Sequence, residues 1–137
     1  MINYTYSIHS ITPKQLHGFF IGWLNPPSPQ IHLEILKNSD EIVLAIDGTT
    51  YHVVGFVAAH TDKILTASIS LVEVLPSYQG QNIGQELVRR ILERLQHLYA
   101  IDLICDLDVQ PFYEKLDMKP CHGMMIRNYE NQSGFIM

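Results

Sequence analysis

A short apolar run, Leu71-Val72-Glu73-Val74-Leu75, is stopped by Pro76 and followed by a long helical periodicity, and no other stretch constrains this chain as much. Proline removes a ladder donor and fixes φ, so a strand must end there. From Ile83 the apolar residues Ile83, Leu87, Ile91, Leu95 and Leu98, flanked by Val88 and Leu92, recur at helical spacing, while Arg89, Arg90, Glu93 and Arg94 form the wet face. The prediction for residues 71–98 is strand, tight loop and amphipathic helix. The loop, Gln79-Gly80-Gln81-Asn82-Ile83-Gly84, is rich in residues that tolerate positive φ. Amides at a helix start lack partners and sit at the positive end of the macrodipole, which makes this turn a candidate anion site, with phosphate the first choice. A purely structural strand-to-helix turn uses the same residues, so both readings stand on this stretch alone.

Downstream, Ile101 to Asp106 reads as a second apolar strand and Pro111-Phe112-Tyr113-Glu114-Lys115-Leu116 as a short helix. The two stretches together resemble the GNAT superfamily, N-acetyltransferases that use acyl-coenzyme A. That family's main motif, Gln/Arg-x-x-Gly-x-Gly/Ala after an apolar-x-Pro step, is met by Gln79-x-x-Asn82-x-Gly84 after Val74-Leu75-Pro76. Its second motif, Asn-x-x-Ala-x-x-Phe-Tyr-Glu-Lys-Leu-Gly-Phe, is met from Asp106 through Val109 and Phe112 to Leu116, then Asp117-Met118. The likeness runs from about Asp40 to the end. Asn82 stands in place of the first motif glycine, Asp106 in place of asparagine and Asp117-Met118 in place of Gly-Phe. Asparagine can take the turn's backbone shape, whereas a carboxylate cannot donate as an amide does.

The resemblance implies an α/β (α+β) fold with a mixed, mostly antiparallel central sheet flanked by helices. A length of 137 residues fits one domain spanning 1–137. Nearly half the residues are apolar, which argues against disorder, and the opening Met1-Ile2-Asn3-Tyr4 lacks the basic and apolar segments of a signal peptide. A cytoplasmic location is the expectation. With a net charge of −5 and only Arg89, Arg90 and Arg94 clustered, the composition argues against nucleic-acid and anionic-membrane partners. The histidines show no metal-ligand spacing, so no metal is expected, and Cys105 reads as an inert buried thiol. Whether the protein is a monomer or a homodimer is left open, because a short closing strand leaves an edge that a second subunit or charged residues can cover.

Taken in order, Ile2 to Ser10 alternates as a half-buried strand, Thr12-Pro13 and Ser28-Pro29 each pair a hydroxyl cap with a first-position proline, and each predicts a helix. Phe19, Phe20 and Trp23 are either core or the lining of an acceptor pocket. Glu41 to Ile46 and Tyr51 to Ala59 read as a hairpin about Asp47-Gly48, Ile64 to Leu75 as the next strand and Met124 to Arg127 as a last strand closing the sheet.

By resemblance, the acyl donor is acetyl-CoA, acting as a cosubstrate. Its pyrophosphate would rest on the turn amides of Gln79, Gly80, Gln81, Asn82, Ile83, Gly84 and Gln85, and its pantetheine arm would pass between Val74, Leu75 and Asp106. Tyr113 is the candidate proton donor to the leaving thiolate: a phenol of pKa near 10 suits a thiol of roughly 8.5 to 10. The plain alternative is a core tyrosine. Glu73, the one carboxylate in the central strand, is the candidate base; a bulge in that strand would decide which face it takes. The implied activity is acetyl transfer to a primary amine of a small molecule or peptide by direct attack in a ternary complex. The alternatives are a coenzyme A sensor with the same fold, and a nucleotide-binding domain, disfavoured because no Gly-Lys-Ser/Thr follows the turn.

Overall fold

The computed structural model describes residues 1–135. Five strands form one sheet in sequence order: β1 (Ile2–Thr5), β2 (Glu41–Asp47), β3 (Val53–Thr61), β4 (Thr66–Val74) and β5 (Ala100–Asp102). The first three pairings are antiparallel and the last, β4 with β5, is parallel, so the sheet is mixed and mostly antiparallel. Three helices complete the fold: α1 (Pro29–Lys37), α2 (Ile83–Arg94) and α3 (Gln110–Glu114).

The central strands are buried on both faces. On one face Ile83, Leu87, Ile91, Leu95 and Leu98 pack on Val43, Ala45, Val54, Val57, Ala59, Ala67 and Ile69. Gly55 permits the close approach of α2: a Cβ there would stand 3.0 Å from Leu87 Cδ1 and 3.3 Å from the Glu73 carbonyl. On the other face Ile11, Leu16, Phe19, Phe20 and Leu36 pack on Ile42, Leu44, Val53, Phe56 and Ala58. Ser28 caps α1 as its sequence requires, with Oγ accepting from the Ile31 amide at 3.2 Å.

The structure corrects several boundaries. Thr12-Pro13 starts only a single 3-10 turn, Pro13–Gln15, and the first strand stops at Thr5 instead of Ser10. Left-handed backbone at Gly18, Phe20 and Gly22 keeps residues 18–22 out of a helix. The central helix ends at Arg94, with Leu95 and Leu98 still buried beyond it, and β5 covers only Ile101 and Asp102 of the expected Ile101 to Asp106. Met124 to Arg127 is not a strand. Met124 to Ile126 have apolar side chains suited to one, but none of the backbone groups of 124–127 meets a neighbouring strand among the described residues.

Candidate active site

The site begins where the sheet fails to stay closed. Strands β4 and β5 are paired only through Thr66↔Ala100, Ala67↔Ile101 and Ser68↔Asp102, and then part. The opening is a cleft of about 690 Å³, lined on one side by Ile69 to Val72 and on the other by Leu103 to Asp106 and Tyr113, with Trp23, Arg127 and Tyr129 among its further walls. A smaller hollow of about 310 Å³, holding Phe20, Ile21, Glu73, Val74 and Gln79, shares Trp23, Leu71 and Val72 with it.

One extra residue in β4 decides what faces these hollows. Ala58 pairs with Leu71 but Ala59 pairs with Ile69, so Ser70 is a bulge, its hydroxyl directed to the Ala58 carbonyl at 3.4 Å. A bulge reverses the alternation that follows it. Ala67 and Ile69 face α2, and beyond the bulge Val72 and Val74 do so, while Leu71 joins the opposite cluster. Glu73 therefore turns away from α2. Its carboxylate accepts from the Phe20 amide at 2.8 Å and the Ile21 amide at 3.2 Å. Phe20 holds φ at +64°, which aims these successive N–H groups at one acceptor. The sequence left open which face Glu73 takes; the tertiary contact with the 20–21 amides fixes its direction.

The turn after β4 is anchored from two sides. Gln79 Nε2 donates to the Val74 carbonyl at 3.0 Å, and the Tyr78 hydroxyl donates to Asp47 Oδ2 at 2.6 Å. The Tyr78 bond, with the Thr49 and Thr50 amides, holds the Asp47 carboxyl below its usual range. The Val74 carbonyl thus already has an internal partner. Gly80 at φ +81° and Asn82 at φ +64° both take left-handed backbone, so Asn82 fulfils the conformational task of the missing glycine. Its side chain makes no cap bond. The first helical bond is Glu86 N–H to the Asn82 carbonyl, which leaves the Ile83, Gly84 and Gln85 amides without helical partners. Gln79 to Asn82 are exposed, and Leu75 closes the end of the strand from the inside. A Cβ at Gly84 would stand 3.5 Å from Phe112 Cζ, so Gly84 and Phe112 seat α3 against α2.

Tyr113 lies on α3, half-buried in the cleft wall beside Cys105 and Asp106, with its ring edge-on to Phe112 at 4.9 Å. Burial, with a smaller contribution from Cys105, pushes its phenol above 10, so it carries its proton across the ordinary pH range. Cys105 is half-buried in the cleft instead of sealed in a strand, and burial together with Asp106 and Asp108 raises its thiol. A thiol so raised stays protonated and is a poor nucleophile. Asp106 is exposed at the start of a 3-10 turn, Leu107–Val109, to which its carbonyl contributes a bond from the Val109 amide. The aromatic trio divides: Phe19 and Phe20 are core, and Trp23 lines the cleft. The arginines of α2 are engaged by acids, Arg89 and Arg90 by Glu86 and Arg94 by Glu41. Among the described residues no cluster of three or more His, Cys, Asp or Glu could hold a metal, and no helix is long and apolar enough to cross a membrane.

Comparison with known proteins follows the same lines. Residues 8–118 match the Acetyltransferase (GNAT) family. The N-acetyltransferase ycf52 of Pyropia yezoensis, itself uncharacterized, is 30% identical over 100 residues, 70% of this chain and 57% of that protein. The GCN5-related N-acetyltransferase 3, chloroplastic, of Arabidopsis thaliana is 43% identical over 63 residues, 44% of this chain and 27% of that one. The chain thus spans about half the length, or less, of the curated relatives it matches. A crystal structure from Deinococcus radiodurans, assigned as an acetyltransferase, superposes with a TM-score of 0.96 at 44% identity, covering 99% of this chain and 94% of that one. A GNAT family protein from Streptococcus pneumoniae superposes with a TM-score of 0.75 at 26% identity, covering 93% and 98%.

Proposed function

The chain belongs to the GNAT acetyltransferase family, and from that premise we propose that it transfers an acetyl group from acetyl-CoA to a primary amine of a small molecule or peptide, by direct attack in a ternary complex. The observation that carries this reading is the parting of β4 and β5 beyond Ser68, with Tyr113 on one wall and Glu73 in the adjoining hollow. The unpartnered amides of Ile83, Gly84 and Gln85, with the exposed turn from Gln79 to Asn82, suit a pyrophosphate. The gap between β4 and Asp106 suits an extended arm.

Glu73 takes a proton from the incoming ammonium, directly or across one water, and leaves a nucleophilic amine. The nitrogen attacks the thioester carbonyl carbon, and a main-chain N–H near Val74 steadies the oxyanion. As the C–N bond forms and the C–S bond breaks, Tyr113 gives its proton to the departing thiolate sulfur. The attacking nitrogen then loses its second proton, through water, to the Tyr113 phenolate, and Glu73 returns its own to solvent, so the thiol of coenzyme A and an N-acetyl amine result with both side chains restored and no covalent enzyme intermediate.

The test pairs turnover with binding. Against a panel of primary amines, Tyr113→Phe is expected to lower kcat about 100-fold or more at unchanged acetyl-CoA affinity, the size expected for loss of a general acid. Gln81→Asp, at an exposed position of the turn, is expected to weaken acetyl-CoA binding by placing a negative charge beside the pyrophosphate. Tight binding with no turnover on any amine would assign the chain as a coenzyme A sensor instead.

A further inference from the structure

Among the described residues, three charged side chains line the cleft and the adjoining hollow: Glu73, Asp106 and Arg127. Arg127 is the one cation of the three. The chain has four arginines, and the other three are each matched to a carboxylate, Arg89 to Glu86 and Glu93, Arg90 to Glu86 and Arg94 to Glu41. Arg127 makes no ion pair among the described residues, and its guanidinium donates only to the neighbouring Ile126 carbonyl, at 3.5 Å. A guanidinium carries a planar fork of donors that matches a carboxylate, and at the cleft this fork is almost unused.

The backbone on either side of the two charges is tied down. Arg127 precedes the 3-10 turn Tyr129–Asn131, which Asn128 caps through Oδ1, accepting from the Glu130 amide at 3.1 Å. That turn is fastened to the loop that carries Trp23: the Asn25 amide donates to Gln132 Oε1 at 2.7 Å, and Asn25 Nδ2 donates to the Tyr129 carbonyl at 3.3 Å. The Trp23 ring lies 4.8 Å from that of Phe20, whose amide, with that of Ile21, holds the Glu73 carboxylate. A continuous set of contacts thus joins Glu73 to Arg127, and the fold sets their separation. Trp23 lines both spaces, while Glu73 lines only the smaller and Arg127 only the larger.

Resting on the acetyl-transfer reading above, we propose that the acceptor is a primary amine whose chain carries a carboxylate at its other end. The amine seats at Glu73 and the carboxylate on the Arg127 guanidinium, with the Trp23 ring against the chain that joins them. Such a molecule, an ammonium at one end and a carboxylate at the other, meets an opposite charge at each. A diamine would bring its second cation to Arg127, and a plain alkylamine would leave the guanidinium without a partner. Asp106 stands on the wall that holds Tyr113, where the coenzyme arm passes on the same reading.

The test measures kcat/KM with acetyl-CoA for two series of acceptors of increasing length, straight-chain ω-amino carboxylates and the alkylamines that lack the carboxylate. The native chain is expected to prefer the amino carboxylate about 10-fold or more at the length that spans the two charges, and to lose part of that preference as salt is raised. In Arg127→Gln the preference should fall about 10-fold, and in Arg127→Glu it should pass to α,ω-diamines. Position 127 is exposed, so both variants should fold, as circular-dichroism melts would verify. Equal rates for the two series in the native chain would overturn this inference and leave acetyl transfer standing, whereas no turnover of either series would overturn both. A preference that survives in both variants would put the carboxylate elsewhere, and a fall in acetyl-CoA affinity as large as the fall in preference would assign Arg127 to the coenzyme; either result overturns the inference.

Discussion

Strands β3 and β5 both flank β4, and they differ in almost every property. Strand β3 is antiparallel to β4 from Gly55 to Thr61 and buried on both faces from Val53 to Ala59. Strand β5 is parallel to β4, three residues long and without a buried residue. The first pairing is the frame, held by side chains that have no other place to go. The second is short enough to open, and the opening is where the candidate chemistry lies. Rigidity on one side of β4 allows the other side to be incomplete without loss of the fold.

The contrast can be broken most severely at Phe56. This fully buried β3 residue touches Phe19, Phe20 and His32, and Phe56→Ala is expected to cost about 3–5 kcal/mol in chemical denaturation. Undiminished stability would mean that β3 is not the frame.

His32 offers a pH handle on the same cluster. Its ring lies 4.4 Å from Phe56 with neither nitrogen hydrogen-bonded, and burial lowers its pKa from 6.5 to about 4. The unfolded chain therefore takes up this proton first as pH falls. The stability tied to it is whole above pH 6.5 and is lost down to pH 4, by about 3 kcal/mol in all, with no further change below. Asp62, lowered to about 2 by the Leu65, Ile64 and Thr66 amides, adds its own loss only at more acid pH. Denaturation at a series of pH values should show the slope between 6.5 and 4 in the native chain and its loss in His32→Leu.

Smaller effects are expected at the turn and the open edge. Asn82 occupies left-handed backbone, so Asn82→Ala should destabilise by about 1–2 kcal/mol, while Asn82→Gly should retain stability to within a few tenths. Equal losses in both variants would assign the asparagine side chain, not its backbone, as the reason for its presence. Ile104→Ala, at an exposed position past β5, should change monomer stability by less than about 0.5 kcal/mol. A cost near that of Phe56→Ala would show the two flanks of β4 to be alike.

How much of this was legible in the sequence follows from the range of each interaction. The strand-turn-helix from Leu71, the Ser28 cap and the hairpin about Asp47 rest on contacts a few residues apart, so composition and spacing expose them. Likewise the motif run through Phe112 and Tyr113 marks α3. The direction of Glu73 depends on Ser70 standing unpaired opposite Ala58 and Ala59, and its hydrogen bonds come from Phe20 and Ile21, 53 and 52 residues away. No local periodicity carries that information. The same is true of Met124 to Arg127, three apolar residues and an arginine that read as a strand but whose ladder depends on what stands beside them. By itself the sequence determined the central strand, the turn and amphipathic helix that follow it, the hairpin about Asp47 and the family, because these follow from propensity and near-neighbour spacing. The faces, the parting of β4 from β5 and the missing sixth strand were decided only by tertiary structure, because backbone pairing between distant segments sets them.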